Sequence, residues 1–438
     1  MRHIFVIGQC SLHWGRMEFG NIGNYYVIEP FFKELHKIFP DAEIRTTFQM
    51  TDDFCALIDI SCVPMEYYYG FTDDDVPNAY KEYALAQIYK ETGTMPETTP
   101  YIEEVMKSDL VIDFSGDMWG VNTDIAGNNR FLVGLLKDRV AQILGKKTAM
   151  LAGSPGPFND MKLLGLAKET FEAFDIVTNR EPVSRKVLET YQFKLDRVYD
   201  LSCPAFIFQP ATEQEIAPYL EGTILENKKK PVIGFTLCGW NMLQGPFNRT
   251  DWKCEEYSSY ITLITSLIKE HNVDVCLFSH SNGFELPPHF KMIHGRDYTM
   301  VKQLYDLLQQ TEVASSVHLL TSIYPPHIIK RLISHFDMLI SGRVHAAVAG
   351  LSMCVPTVII DYGHEPKAHK LKGFAELCQV QNYICDPHNP LNLISVSSKC
   401  WQNREELSLK LQSLIPRIGD MARESFLLLT LIPQYFFL

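Results

Sequence analysis

Short apolar runs alternate along the first half of the chain with longer segments whose apolar residues recur at helical spacing. Helical patterns cover residues 25–39, 130–144 and 182–191, and Pro182 suits a first helical turn because no amide donor is needed there. The predicted strands are residues 3–8, 42–47, 109–116, 147–153 and 174–180. Strands that alternate with helices in this way predict an α/β fold with a parallel sheet.

The same alternation begins again after a proline-containing segment, "YDLSCPAFIFQPATEQEIAP". We therefore place a boundary near Pro210, with lobes at residues 1–210 and 211–388, and a C-terminal helical segment with an apolar tail at 389–438. The strands predicted in the second half are residues 231–239, 273–280, 317–322, 336–342 and 355–361; the helices are 254–270, 300–310, 325–334, 343–352, 366–378 and 389–414. This pattern predicts two Rossmann-like lobes with an interdomain cleft, and ligands of such sheets bind beyond the carboxyl ends of the strands.

Composition narrows the class of protein. The 438 residues carry a net charge of −12, from 40 basic and 52 acidic residues, and contain no basic run, so we expect no nucleic-acid partner. The eleven cysteines form no CxxC pair, which predicts no metal site and a reducing, cytoplasmic compartment. The first residues read as a strand, so we expect no signal peptide. The apolar tail, 426–438, is too short to span a membrane, so we expect it to dock on the protein; contact with a membrane surface is the alternative.

An arginine and a histidine follow one predicted strand, in the stretch "ISGRVHAAVAG". Arg343 and His345 converge only if Arg343 occupies the turn and His345 the first turn of the next helix. There the free helix amides favour an anion, and the guanidinium adds a fork for a carboxylate or phosphate. The alternative is an Arg–Asp surface pair beside a histidine satisfied in the core.

A second strand exit repeats this pattern in "VTNREPVSRKVL", where Arg180 precedes a helix. It is either a second anion contact or a helix-capping, salt-bridged arginine. In "DFSGDMWG", Gly116 allows close backbone approach after a strand, and Asp117 is placed to accept or orient a hydroxyl proton. The alternative for Asp117 is an aspartate that stabilises a turn.

Four more positions are candidates because they follow strands. His280 is expected to face the cleft, and Trp240 either stacks on a sugar or packs in the protein. Glu365 and Lys367, in "DYGHEPKAHK", follow the last predicted strand, where Lys367 is either a phosphate contact or a surface lysine.

Two stretches interrupt the regular pattern. In "GNIGNYYVIEP", Asn21 or Asn24 is placed to cap a helix, although the glycines match no nucleotide-binding pattern. The segment "MEYYYGFTDDDVPNAYKEYALAQIY" is rich in tyrosine and acidic residues. It is either a solvated insertion or an aromatic platform for a sugar ring.

Taken together, these motifs resemble the polysaccharide pyruvyl transferase family. The stretch "ISGRVHAAVAGLSMCVPTVIIDYGHEPK" looks like the signature of that family, and "VTNREPVSRKVL" is similar to its strand–arginine–helix motif. "DFSGDMWG", "GNIGNYYVIEP" and "YDLSCPAF" resemble its central loop, its N-terminal loop and the segment between its lobes. Asn24 and Ser115 depart from the family pattern, which usually has an aspartate and a glycine there.

The resemblance implies a GT-B-like fold and the transfer of a pyruvyl group from phosphoenolpyruvate to two hydroxyls of a glycan sugar. Arg343, Val344 and His345 would line the phosphoenolpyruvate pocket, and Arg180 would be a second cationic contact. That chemistry needs no metal or other cofactor. The partners would be phosphoenolpyruvate and a glycan or lipid-linked glycan acceptor.

A histidine near neutral pKa suits the proton transfer, so we assign His345 as the acid/base and Asp117 or Glu365 to the acceptor hydroxyls. Two alternatives remain open. One is a GT-B-type glycosyltransferase with a nucleotide-sugar donor, for which Glu365 would bind the ribose. The other is a non-catalytic glycan-binding protein.

Overall fold

The computed structural model describes residues 2–9, 17–242, 249, 251–285, 291–362 and 369–432. The chain divides into two compact units. Unit 1 contains Met1–Glu18, Ile28–Pro204 and Asp420–Leu438, and unit 2 contains Phe19–Val27 and Ala205–Gly419. The predicted boundary at residue 210 therefore lies inside unit 2, and the predicted third segment is divided between the units.

The boundary lies before Ala205 because the next residues already pack within unit 2. Buried Lys330 donates hydrogen bonds to the carbonyls of Ala205 and Phe208, at 3.3 and 2.7 Å. The ring of Phe206 lies 6.2 Å from that of Phe374. The prolines that suggested a linker thus lie partly in a packed segment.

Unit 1 is built on a seven-stranded parallel sheet. Its strands are β1 (His3–Ile7), β2 (Glu43–Thr46), β3 (Ser61–Cys62), β4 (Leu110–Asp113), β5 (Lys147–Gly153), β6 (Ile176–Asn179) and β7 (Val198–Asp200). Its helices are α1 (Ile22–Ile38, which begins in unit 2), α2 (Asp52–Ile58), α3 (Asp75–Thr92), α4 (Pro100–Lys107), α5 (Arg130–Ile143), α6 (Met161–Ala173) and α7 (Val183–Thr190). The strand order is β3-β2-β1-β4-β5-β6-β7, a Rossmann-like arrangement.

Unit 2 repeats this architecture with six parallel strands and a separate hairpin. Its strands are β8 (Val232–Thr236), β9 (Asp274–Leu277), β10 (Asn282–Phe284), β11 (Met292–His294), β12 (Val317–Leu319), β13 (Met338–Ser341), β14 (Thr357–Ile360) and β15 (Ile384–Cys385). Its helices are α8 (Glu213–Leu220), α9 (Ser258–His271), α10 (Arg296–Leu308), α11 (Pro326–Ile333), α12 (Val344–Ser352), α13 (His369–Leu377), α14 (Pro390–Gln402) and α15 (Arg404–Leu427, which ends in unit 1). The sheet order is β12-β9-β8-β13-β14-β15, and β10 pairs antiparallel with β11.

The predicted α/β fold with two Rossmann-like lobes is confirmed, and every predicted strand is present. The central strands β4, β8, β9, β13 and β14 are buried along their whole length, because helices cover both faces of a parallel sheet. The strands that we missed, β3, β7, β10, β11 and β15, are only two or three residues long. They lie at sheet edges or in the hairpin, where no apolar run is needed.

Both predictions for the tyrosine-rich segment are wrong for its central residues. Tyr68 and Tyr69 are 2% and 4% exposed and belong to the core of unit 1. The Tyr69 hydroxyl donates to the carbonyl of Asn128 at 2.8 Å. The following helix, α3, packs against α5. The segment is therefore a helix-bearing part of the core in which these rings are buried.

The first part of the apolar tail docks on unit 1, as expected. Phe426 is fully buried, with its ring 5.4 Å from that of Phe31 on α1, and Leu428 and Leu429 are also buried. Residues 433–438 lie outside the described residues. Within the described chain, no helix combines the length and the apolar character needed to cross a membrane.

Two carboxyl groups are buried together beneath the sheet of unit 1. Asp113 ends β4 and Asp138 lies on α5; they are 1% and 2% exposed. Burial raises the pKa of Asp113 to about 7, against the lowering effect of hydrogen bonds from Ser115. Burial and the neighbouring Asp113 also raise the pKa of Asp138. Two buried acids with raised pKa values hold at least one proton between them at acidic pH.

This pair predicts a pH-dependent stability. A carboxyl group with a raised folded-state pKa stabilises the fold at low pH and loses that contribution as the pH rises from its ordinary value toward 7. Asp138→Asn removes one acid, so we expect it to be more stable than the wild type at pH 8, on the order of 1 kcal/mol, with a flatter profile. Urea unfolding at pH 5 to 8 measures this, with the exposed Glu91→Gln as control. A loss of stability that is equal at every pH would contradict the prediction.

Candidate functional site

The turn between β13 and α12 has the geometry that the sequence required. Arg343 is extended, with φ −114° and ψ 129°, and immediately precedes the helix, while His345 is its second residue. The side chain of Arg343, the N-cap residue of α12, makes no capping hydrogen bond. The first amides of α12 are therefore available to an anion.

The Arg343 guanidinium is held by a buried carboxylate. Its Nε and Nη2 donate to the two carboxylate oxygens of Asp297 at 2.7 and 2.6 Å. The two side chains are 8% and 0% exposed, so this is a buried fork and not the surface pair considered from the sequence. Burial by itself lowers the pKa of Arg343, but the Asp297 charge outweighs it and the pKa is raised. Arg343 thus keeps its charge.

Arg296, next to Asp297 at the start of α10, supplies a second cation. The residue as a whole is exposed. Partial burial of its guanidinium and the positive charge of Arg343 lower the pKa of Arg296, as expected for two neighbouring cations. We did not predict Arg296 or Asp297, because their stretch, "HGRDYTM", has no strand-exit pattern.

A third cation, Lys370 on α13, lies near the same strand ends. It is 9% exposed, and its Nζ lies 5.7 Å from the centre of the Tyr362 ring, which follows β14. The Tyr362 ring is in turn 6.2 Å from that of Trp240, which follows β8. Trp240 is partly buried against this ring. The aromatic residues and the cations therefore gather at the carboxyl ends of adjacent strands.

His345 is positioned by the first turn of α1. A Cβ atom at Gly23 would overlap with the Nδ1 of His345, so only glycine permits this approach. The ring is partly buried and lies 6.4 Å from Phe374. The histidine is therefore held against a backbone without being sealed in the core.

Asn21 and Asn24 have structural roles at this turn. The Oδ1 of Asn21 accepts a hydrogen bond from the Gly23 amide at 3.0 Å, which caps α1. Asn21 also forms a β-bridge with Ser281. Asn24 is the third residue of α1, and its Oδ1 accepts a bond from Asn21 at 3.4 Å. Of the two predicted caps, Asn21 is the one observed.

Two other predicted binding residues are buried in the core. The expectation that His280 faces open space is wrong: it is 0% exposed, and its Nε2 lies 3.4 Å from the Tyr26 hydroxyl. Burial and the charges of Arg343 and His345 lower its pKa, so it is neutral. Val344 is also buried, at 5% exposed. Glu365 and Lys367 lie outside the described residues.

The second arginine, Arg180 in unit 1, also has a carboxylate partner. Its Nη2 donates to Asp117 at 3.1 Å and its Nε to the Ser154 hydroxyl at 2.9 Å. Burial lowers its pKa, but Asp117 and nearby anionic groups raise it overall. Gly116, at φ +58°, permits the close approach of the guanidinium, because a Cβ there would lie 3.2 Å from Nη1. Asp117 is 25% exposed and remains accessible to solvent.

The amides at the start of α7 are already occupied. Buried Glu181 accepts hydrogen bonds from the amides of Val183 and Ser184 at 2.8 and 3.1 Å, and from the Ser184 hydroxyl. The expectation that Arg180 acts beside free helix amides is therefore wrong. The carboxylate of the next residue fills the positive end of this helix. The two strand exits share a local sequence pattern but differ in their charge.

A protein-family comparison decides the family. The model of the polysaccharide pyruvyl transferases matches residues 21–364, most of the chain. The chain belongs to the polysaccharide pyruvyl transferase family. Of the predicted pyruvyl transferase motifs, the strand exits at Arg180 and Arg343 and the loop at Asn21 all lie within the matched range. No curated protein sequence matches the chain closely enough to count as a relative.

Solved structures show that the fold is GT-B-like. The UDP-GlcNAc 2-epimerase of Methanocaldococcus jannaschii matches with a TM-score of 0.58 and 13% identity. The UDP-GlcNAc 2-epimerase of Neisseria meningitidis, bound to UDP-GlcNAc, matches at 0.55 and 14%, and Anabaena Alr3699/HepE, in complex with UDP, at 0.54 and 12%. Each match covers 98% of this chain and 100% of the other. At these identities the likeness concerns the fold alone.

The Arg343–Asp297 pair predicts that two aspartates on α10 contribute very differently to the stability of the fold. Asp297→Ala leaves the buried guanidinium without a partner, so we expect it to destabilise the fold by about 3–5 kcal/mol. Asp306→Ala removes an exposed partner of Lys302 on the same helix and should cause no measurable change. Urea unfolding of both variants measures the difference. Equal effects would mean that the buried pair does not stabilise this site.

Proposed function

We propose that the protein transfers the pyruvyl group of phosphoenolpyruvate to two hydroxyls of a glycan sugar and forms a cyclic ketal. Membership of the pyruvyl transferase family makes this the first reaction to consider. The observation that carries the proposal is the basic cluster at the start of α12. Among the described residues there, the cations Arg343, Arg296 and Lys370 outnumber the buried carboxylate of Asp297.

This cluster suits the charges of the proposed donor. Phosphoenolpyruvate carries a carboxylate and a phosphate, and both bind guanidinium groups and free helix amides well. Asp297 takes two of the five donor hydrogens of Arg343 but leaves Nη1, which no described residue binds. Nη1 and the uncapped amides of α12 are the proposed contacts.

The proposed reaction begins with a proton transfer to the methylene carbon. His345 donates this proton, which leaves an oxocarbenium-like centre at the adjacent carbon. One sugar hydroxyl adds there and gives up its proton. The carbon–oxygen bond to phosphate then breaks, the second hydroxyl closes the ring, and its proton leaves with the phosphate. The two hydroxyl protons thus account for the new methyl hydrogen and for the proton on inorganic phosphate.

The assignments of the other groups rest on the resemblance and on their chemistry. We assign deprotonation of the acceptor hydroxyls to Asp117 or Glu365, and a further cationic contact with the donor to Arg180. We propose a glycan or a lipid-linked glycan as acceptor, with no metal or other cofactor. Trp240, with its ring beside Tyr362, is proposed to contact a sugar.

The structural neighbours suggest a nucleotide-sugar donor as the alternative, because two of them are bound to UDP or UDP-GlcNAc. Those proteins share only 12% and 14% of residues with this chain, so their ligands give the alternative little weight. The family match and the cation cluster favour phosphoenolpyruvate. A protein that only binds glycans would not respond to that donor.

We predict that phosphoenolpyruvate binds at the start of α12. In calorimetric titrations, Arg343→Lys should bind it at least ten times more weakly than the wild type, because a lysine cannot keep the fork to Asp297 and also reach the ligand. Arg296→Ala should weaken binding in the same direction. Lys302→Ala, an exposed cation on the same helix, is the matched control and should bind normally. Binding of UDP in place of phosphoenolpyruvate by the folded wild type would favour the nucleotide-sugar alternative.

We also predict that His345 acts in turnover more than in binding. His345→Gln should bind phosphoenolpyruvate within about three-fold of the wild type but release phosphate at least 100 times more slowly, because it cannot donate the proton. Gly23→Ala should slow turnover in the same way by displacing the ring. Phosphate release is measured with methyl glycosides of galactose, glucose, mannose and N-acetylglucosamine as acceptors. An active His345→Gln variant would exclude this histidine as the acid.

A further inference from the structure

A cavity of 540 Å³ lies at the carboxyl end of β12, the edge strand of unit 2. The end of α8, the strand β12, the loop that follows it and the middle of α10 form its walls. We call it the tyrosine cavity because Tyr219, Tyr305 and Tyr324 line it. No motif of the sequence analysis falls on it, and it includes none of the cations at the start of α12.

The tyrosine rings form a partly open aromatic wall. Tyr219 and Tyr324 have ring centres 6.0 Å apart and planes inclined by 49°, so they offer two differently oriented faces. Tyr219 and Tyr305 are partly exposed, whereas Tyr324 is 5% exposed and anchors the wall. Tyrosine combines an apolar face with a polar hydroxyl. Such a wall suits a ligand with apolar C–H faces and hydroxyl edges.

The polar groups of the tyrosine cavity favour a neutral ligand. No lysine or arginine is among its lining residues, and Glu221 supplies one exposed carboxylate. Burial lowers the pKa of His318 against the opposing effect of Asp274, so its imidazole is neutral. Its Nε2 is buried and lies 4.0 Å from an oxygen of the Asp274 carboxylate, which is not among the lining residues. A phosphate or nucleotide would meet no cation here, whereas sugar hydroxyls would find acceptors and donors.

Helix α10 connects this cavity with the basic cluster. Asp297, which holds Arg343, is in the first turn of α10, and Tyr305 lies eight positions later. At the rise of an α-helix, the two positions are ~12 Å apart along the axis. A short oligosaccharide spans such a distance.

We propose that the tyrosine cavity binds a neutral stretch of the glycan acceptor as an accessory subsite, apart from the sugar that reacts. This inference rests on the proposed function, because it assumes a glycan acceptor. The rings would stack on sugar faces, while the Glu221 carboxylate and the exposed Ser322 hydroxyl would bind sugar hydroxyls. The subsite would increase the affinity for chains of several sugars and leave the chemistry of the terminal sugar unchanged.

The test is direct binding of neutral tetrasaccharides in the absence of phosphoenolpyruvate. Cellotetraose, maltotetraose and β-1,4-galactotetraose are titrated and observed by saturation-transfer NMR. We expect at least one to bind the wild type, and the Tyr219→Ala/Tyr305→Ala double variant to bind it at least ten times more weakly. Tyr80→Ala, which removes an exposed ring on α3 of unit 1, is the matched control and should bind normally. Tyr219→Ala alone, at the end of α8, should show a smaller loss and guards against misfolding of the double variant.

One further variant and two further ligands separate this inference from the proposed function. Arg343→Lys should bind the tetrasaccharide like the wild type, although it binds phosphoenolpyruvate poorly. If the wild type binds the tetrasaccharide but not phosphoenolpyruvate, the proposed function is overturned and the cavity remains a glycan-binding site. Three results would each overturn the accessory subsite: the wild type binds no tetrasaccharide, the double variant binds it as well as the wild type does, or UDP displaces it.

Discussion

The candidate site depends on one buried ion pair, between Arg343 and Asp297. A guanidinium that is 8% exposed needs a partner to stay charged, and Asp297 provides it through two hydrogen bonds. The partner is itself fixed, because the Asp297 amide donates to the Ser281 hydroxyl at 3.2 Å and Gly295 packs directly on the Ser281 backbone. The orientation of the arginine is therefore determined by a loop far from it in sequence.

The same loop also supports the histidine. Ser281 forms a bridge with Asn21, and the Asn282 amide donates to the Gly20 carbonyl at 2.6 Å. This pairing places the start of α1, where Gly23 lies against the ring of His345. One short segment after β9 thus positions both the cation and the imidazole. The residues proposed for binding and for proton transfer therefore share one structural support.

The two units show how similar local sequences acquire different charge. Each has an arginine at a strand exit followed by a helix, and each arginine is paired with an aspartate. In unit 1, Glu181 occupies the first amides of α7. In unit 2, the N-cap side chain of α12, Arg343, makes no capping hydrogen bond, and Arg296 and Lys370 add positive charge. The second strand exit consequently carries more positive charge, and the difference arises from residues outside the shared pattern.

The GT-B-like fold does not by itself determine which donor substrate binds. Structural neighbours with UDP ligands and a family named for pyruvyl transfer have this architecture in common. What distinguishes one use of the fold from another is the charge and shape at the strand ends. Unit 2 shows such a difference in charge and shape. It has a cationic region at the start of α10 and an aromatic cavity, lined by no lysine or arginine, farther along that helix.

The sequence by itself determined the α/β class, the two parallel sheets and the turn that places Arg343 before His345. These follow from local patterns: apolar runs form central strands, and small residues after them let a helix approach the sheet. Only the tertiary structure decided the partners. Asp297 and Gly23 reach the site from distant parts of the chain, and His280 is buried by Tyr26. Tyr68 and Tyr69 are buried in a core, whereas Tyr219 is partly exposed and lines a cavity. Burial and charge pairing depend on which distant residues the fold brings together. The hydrophobic periodicity of the sequence does not contain this information.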